Sequence, residues 1–215
     1  MSPIGRLFRH FRATKTAPEA PERTSTIEWI VAGLGNPGEE YARSRHNLGF
    51  MAIDAVAAAH QAGFSRRRFK AACATVKIGG RSALLAKPQT FYNLSGESLA
   101  AIAGYYKVPV ERLIIIHDDL DLEAGRIRIK RGGGDAGNRG VRSIAEHLGP
   151  DFIRIRIGIG RPPGEGDSKD FVLKPMTRAE RVHYEPVLAR AGEAVETLMV
   201  EDLDRAMGRY NQRQA

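Results

Sequence analysis

Residues 29–47 read WIVAGLGNPGEEYARSRHN. Trp29 to Ala32 is an apolar run of strand composition, closed by Gly33, Gly35 and the Asn36-Pro37-Gly38 turn. A polar loop then presents Tyr41 and His46-Asn47, and an apolar helical pattern opens at Leu48. A buried strand that hands over to a glycine-rich turn puts polar side chains at a sheet edge, where α/β proteins build their sites.

Outward from this stretch, the 215 residues are 42% hydrophobic, enough for one substantial core and too few for two comfortable domains. The single cysteine, Cys73, excludes an intrachain disulfide and speaks against a thiolate metal cluster. No apolar run approaches the ~20 residues a membrane helix needs. The expected setting is soluble and cytoplasmic. The net charge is +8, and residues 29–176 hold 22 basic against 15 acidic groups, so the excess sits in the folded body. A basic body favours a polyanion partner.

Residues 1–28 carry Ile4, Leu7, Phe8 and Phe11 at helical spacing with arginines between them, then an Ala/Pro/Glu/Thr stretch. They read as a basic extension outside the fold, either disordered or an organelle-targeting segment. Strands are expected at about 27–34, 69–78 (entered through the basic cluster Arg66–Lys70), 82–87, 111–117, 125–130 and 152–159. Helices are expected at 48–60, capped by Asn47 or Ser44, at 94–106, at 141–148, and at 178–207 with a possible break near Pro186. Residues 160–175 read as a long loop able to cover a site, and 208–215 as a flexible tail. Leu113 to Ile116 is apolar without alternation, so both faces of that strand are covered. This order predicts one α/β domain over 29–207, a twisted mixed sheet flanked by helices.

If the first strand and 113–117 are central neighbours, their ends bring Asn36 and His46 towards Asp118, with Asn93 from the junction after 82–87. A histidine on a polar loop beside a strand-end aspartate has a base's requirements, because the carboxylate fixes its tautomer and orientation. His117 and Asp119 stay open as alternatives, since the pleat allows only one of each adjacent pair to face the site. No serine elbow is present and Cys73 lies inside a plain strand, so water activated by histidine is the simplest hydrolytic scheme. His46, His117 and Asp118 lack a metal-binding spacing, and no metal or other cofactor is expected. Asn36 and Asn93 offer amide donors for a carbonyl or oxyanion.

Taken together, GLGNPG (33–38), Tyr41 with RHN (45–47), KPQTFYNLSG (87–96), HDDLDL (117–122), GRIRIKRGGG (125–134) and RIRIGIGRP (154–162) resemble the bacterial-type peptidyl-tRNA hydrolases. The resemblance runs in family order from residue 29 to about 200. It implies a carboxylic ester hydrolase that cleaves the bond between a peptide, or N-acylated amino acid, and the terminal ribose of tRNA. His46 then matches the base that activates water, Asp118 the aspartate that orients it, and Asn36 the asparagine that positions the ester. Tyr41, Tyr92, Asn93, Asn138 and Arg139 fall at substrate-binding positions, and Lys130, Arg156 and Lys169 at basic positions used against tRNA phosphate. The family works without a metal, commonly as a monomer, in the cytoplasm or an organelle. One segment departs from the pattern. Where the family usually has His-Asn after its glycine-rich turn, this chain has Asn138-Arg139, with Asp135 placed to pair with Arg139. A relative that binds or processes RNA without hydrolysis is the second reading the resemblance allows.

Overall fold

Trp29–Gly33 forms strand β1, and every one of its five residues is buried, as a strand covered on both faces requires. In the computed structural model, which describes residues 26–162 and 167–212, β1 lies at the centre of a seven-stranded sheet. The other strands are β2 (Arg66–Arg68), β3 (Ala71–Ile78), β4 (Arg81–Pro88), β5 (Leu113–Asp119), β6 (Ile127–Arg131) and β7 (Ile153–Gly158), in the order β2-β3-β4-β1-β5-β7-β6. β4, β1, β5 and β7 run parallel, while β2, β3 and β6 pair antiparallel with their neighbours. The expected neighbours β1 and β5 are paired, Val31 against Ile114 and Gly33 against Ile116.

The alternation of side chains divides the core in two. Val31, Leu85, Ile114, Ile116 and Ile155 face α1 (Leu48–Ala59), α5 (Arg178–Val200) and α6 (Leu203–Tyr210). Ile30, Ala32, Leu84, Ala86 and Ile115 face α2 (Ser95–Tyr106) and α3 (Arg139–Leu148). The glycines of the opening stretch allow α1 to sit hard against the sheet. A Cβ on Gly33 would lie 2.0 Å from the Gly49 carbonyl oxygen, and one on Gly49 would lie 2.4 Å from that of Ile116. GLGNPG has the spacing of a dinucleotide fingerprint, but it does not open a helix. The chain instead runs through a loop and a 3-10 turn at Arg45–Asn47 before α1 begins.

Five boundaries differ from the sequence reading. Of the extension 1–28, residues 1–25 lie outside the described residues, but Ile27 is buried and Glu28 N–H donates to the Ser82 carbonyl, so both belong to the body. Arg66–Arg68 is a strand of its own at the sheet edge. Within 160–175 there is a helix, α4 (Ser168–Leu173), started by the Asp167 carboxylate on Lys169 N–H. Finally, α5 continues through Pro186, and the chain breaks instead at Asp202, whose side chain caps α6. The expected flexible tail from 208 is therefore structured through its first residues. Tyr210 is 2% exposed, and the Asn211 amide bonds both Ile129 N–H (2.6 Å) and Ile129 C=O (2.9 Å), closing the free edge of β6.

Candidate active site

The site assembles where β1, β4 and β5 end. Asn47 does not cap α1; its side chain makes no capping bond. Its amide oxygen accepts from Asn36 N–H (2.8 Å) and its amide nitrogen donates to the Asn36 carbonyl (2.9 Å), pinning the turn after β1 to the start of α1. The Asn36 side chain in turn accepts from Tyr92 N–H at 2.8 Å, which ties β1 to the 3-10 turn Tyr92–Leu94 after β4. Because that partner is a donor, the atom facing it is Oδ1, and Nδ2 is directed away from it. Asn36 lines the cleft. The loop carrying His46 is clamped from the opposite side, where the Arg45 guanidinium pairs with Glu180, donates to the Phe171 carbonyl at 2.9 Å and covers the Phe171 ring.

His46 Nδ1 lies 3.0 Å from both carboxylate oxygens of Asp118. An ionised carboxylate only accepts, so Nδ1 carries the proton and Nε2 is left as the acceptor on the cleft side. The pleat at the end of β5 decides among its three polar residues. Asp118 turns to His46. His117, on the other face, donates from Nδ1 to the Asp118 carbonyl at 2.8 Å and is held neutral by burial. Asp119 accepts from Arg156 Nε at 2.7 Å. Neither alternative base is placed like His46. Burial pushes the Asp118 carboxyl up, but attraction to His46 and hydrogen bonds from His46 and Tyr92 outweigh it and leave the group below the usual aspartate range.

Tyr92 is 3% exposed, and its ring stacks on the His46 imidazole with centroids 3.5 Å apart and planes 11° off parallel. Its hydroxyl donates to Asp118 Oδ1 at 2.9 Å. Asn138 caps α3 by accepting Val141 N–H, and its amide nitrogen donates to the Tyr92 hydroxyl at 2.9 Å.

These groups border a cleft of about 630 Å³ lined also by Tyr41, Asn93, Arg139 and Lys169. Nine of the residues singled out in the sequence line it: Asn36, Tyr41, His46, Tyr92, Asn93, Asp118, Asn138, Arg139 and, on α4, Lys169. Lys130 and Arg156 are not in the cleft lining. They stand on the β6–β7 pair beside it, in a pattern the sequence reading missed. Arg128 is directly opposite Arg156 and Lys130 directly opposite Arg154, although like charges facing across strands repel. Arg154 is buried with its guanidinium on the Gly133 and Gly134 carbonyls, and Arg156 is paired with Asp119. Among the described residues, Arg128 and Lys130 take part in no ion pair. Partial burial and then the neighbouring arginines lower the Lys130 pKa. The period-two run RIRIK already put Arg128 beside Lys130 on one face. Asp135 pairs with Arg142, not with Arg139, because one turn of α3 carries Arg142 back over the loop; Arg139 stays exposed at the cleft.

Among the described residues, no group of three or more His, Cys, Asp or Glu is disposed to hold a metal ion, and no helix is long and apolar enough to cross a membrane.

The sequence model of the family described as Peptidyl-tRNA hydrolase matches residues 30–215. The peptidyl-tRNA hydrolase of Frankia casuarinae is 47% identical over 184 residues, covering 85% of this chain and 93% of its own. That of Streptomyces coelicolor is 46% identical over 189 residues, covering 85% and 94%. The crystal structure of peptidyl-tRNA hydrolase from Acinetobacter baumannii superposes with a TM-score of 0.82 at 34% identity, covering 88% of this chain and 97% of that one.

Proposed function

The chain belongs to the peptidyl-tRNA hydrolase family, and we propose that it hydrolyses the ester between a peptide, or N-acylated amino acid, and the terminal ribose of tRNA. The observation that carries this reading is His46 held by Asp118 at 3.0 Å through Nδ1, with His46 and Asn36 lining the same open cleft. Nε2 takes a proton from water as the oxygen bonds to the ester carbonyl carbon. Asp118 steadies the imidazolium so formed. The Asn36 Nδ2–H donates to the developing oxyanion, a role open to it because its own Oδ1 is occupied by Tyr92 N–H. The imidazolium then returns the proton to the ribose oxygen as the C–O bond breaks, which frees tRNA and the acyl acid.

Asn93 and Tyr41 line the cleft where the acyl group and the tRNA end meet the dyad. Lys169 on α4 and the Lys130–Arg156 face of β6–β7 supply cations for phosphate, and the unpaired charge of Arg128 and Lys130 supports that use. Asn138-Arg139, in place of the family's usual His-Asn, changes the hydrogen bonds of one wall and adds an exposed cation. We read it as a divergence that keeps the reaction, since Asn138 still caps α3 and bonds inward to Tyr92. The enzyme acts as a cytoplasmic monomer and needs no cofactor in this scheme.

Release of N-acetylated amino acids from tRNA by wild type and His46→Ala tests the reading. Turnover by wild type, with a loss of about 10²–10⁴-fold in the variant, is expected. Equal rates, or none with wild type, contradict it. The pair Asn138→His with Arg139→Asn, assayed over several acylated tRNAs, reports whether the altered turn sets rate or substrate choice.

A further inference from the structure

Tyr92 and Asn138 were read from the sequence as substrate contacts. We propose instead that they are positioning residues, a relay Asn138–Tyr92–Asp118 that fixes the plane of the His46 imidazole and tempers the carboxylate it leans on. The inference rests on the reading of His46 as the base.

Five observations converge. The stack at 3.5 Å and 11° allows the imidazole little rotation out of its plane. Asp118 Oδ1 is shared, accepting from His46 Nδ1 at 3.0 Å and from the Tyr92 hydroxyl at 2.9 Å. The donor direction along the relay is determined by its far end. Asn138 Oδ1 is occupied by Val141 N–H, so Nδ2 faces Tyr92, and the Tyr92 hydroxyl must accept from Asn138 and donate to Asp118. Room for the ring is built in at Gly140, where a Cβ would lie 2.5 Å from Tyr92 Cε1. With 3% of its surface exposed, Tyr92 offers a ligand almost nothing but the edge of the stack.

A carboxylate that already accepts a hydroxyl hydrogen bond stays ionised to lower pH. The Tyr92 hydroxyl is among the groups that lower the Asp118 pKa, and Tyr92 itself, buried and beside that charge, stays protonated and able to donate. The other charged or titratable groups around the pair are retained when the hydroxyl is removed: His117 and the Asp119–Arg156 pair on β5 and β7, Tyr184 and Glu180 on α5 with Arg45, Lys169 on α4, Arg139 on α3, and Tyr41, Asp135 and Arg161 around the cleft.

The test uses the full chain with Tyr92→Phe, which keeps the stack and loses the hydroxyl, and Asn138→Ser, which keeps an oxygen to cap α3 but loses the amide donor. Two readouts are taken: kcat and KM across pH on an N-acetylated aminoacyl-tRNA, and the ¹³C titration of the Asp118 carboxyl without substrate, assigned with Asp118→Asn. The relay predicts that Tyr92→Phe moves the acid limb of kcat to higher pH by about half a unit, with KM changed less than about twofold. The Asp118 carboxyl titrates higher to match, and Asn138→Ser moves both in the same direction by less. A raised KM with an unmoved acid limb, or an unchanged carboxyl titration, overturns the proposal. An Asp118 carboxyl that shifts in Tyr92→Phe, when wild type cleaves no acylated tRNA, supports the relay and overturns the proposed substrate.

Discussion

Asn36 divides its amide between two tasks. The oxygen joins β1 to the turn after β4 through Tyr92 N–H, and in the proposed mechanism the nitrogen donates to the substrate. The two can be separated. Asn36→Asp keeps an acceptor for Tyr92 and sets a second carboxylate oxygen where the donor was, so kcat falls by about 10²–10³-fold while the thermal midpoint stays close to wild type. Asn36→Ala removes both and also leaves a buried N–H unpaired, destabilising by about 1–3 kcal/mol in a urea titration. Asp118 accounts for one part of the pH dependence, alongside the need for an unprotonated His46 Nε2. Its folded-state pKa is depressed, so the ionised, orienting form is present above that pKa and is lost as pH falls through it. Activity therefore declines on the acid side, and Asp118→Asn, which removes that ionisation, lowers the rate at all pH values and removes the carboxylate's share of the acid limb. A pH–rate profile of both proteins checks this.

At the scale of elements, the junction of β1, α1 and β5 is held together by closeness of backbones. Gly49 admits no side chain against the Ile116 and Leu34 oxygens, so Gly49→Ala pushes α1, and His46 before it, off the sheet. The expected destabilisation is about 1–3 kcal/mol by chemical denaturation. This junction was legible in the sequence because its signals are strong and local: an unbroken apolar strand, glycines behind it, and a helical pattern directly after the histidine. The choice of Asp118 over His117 and Asp119 was not, since it depends on the phase of the pleat at the last turn of β5. Asn47 was misread for a related reason. A cap is a local role visible in sequence, whereas its bonds to the Asn36 backbone join residues eleven apart. α4 was lost and α6 was merged into the helix before it, because six and eight residues carry little periodicity and their start signals are single aspartates, Asp167 and Asp202. The contacts of Tyr92 and Asn138 with Asp118 could not be read at all, as three separate elements meet there.

For the molecule as a whole, the positive excess found in the sequence is not spread evenly. Its most exacting expression is the β6–β7 pair, where two cations face two others across the strands and only Arg154 and Arg156 are compensated from within. A tRNA phosphate bound over Arg128 and Lys130, as proposed, would relieve that repulsion. Arg128→Ala and Lys130→Ala should each weaken tRNA binding irrespective of sequence and reduce the slope of log K against log salt by about 1; unchanged slopes would place the phosphates elsewhere. In the proposed reading the cations of β6–β7 stand beside the cleft, while Lys169 on α4 lines the cleft itself with His46, Asp118 and Asn36. The most direct test of the account is a single-turnover experiment with excess enzyme on an N-acetylated aminoacyl-tRNA, comparing wild type with His46→Ala while binding is followed in parallel. The account predicts equal binding and ester cleavage slowed by at least about 10²-fold. Cleavage at the same rate by both proteins, or tRNA bound and left intact by wild type, would contradict it.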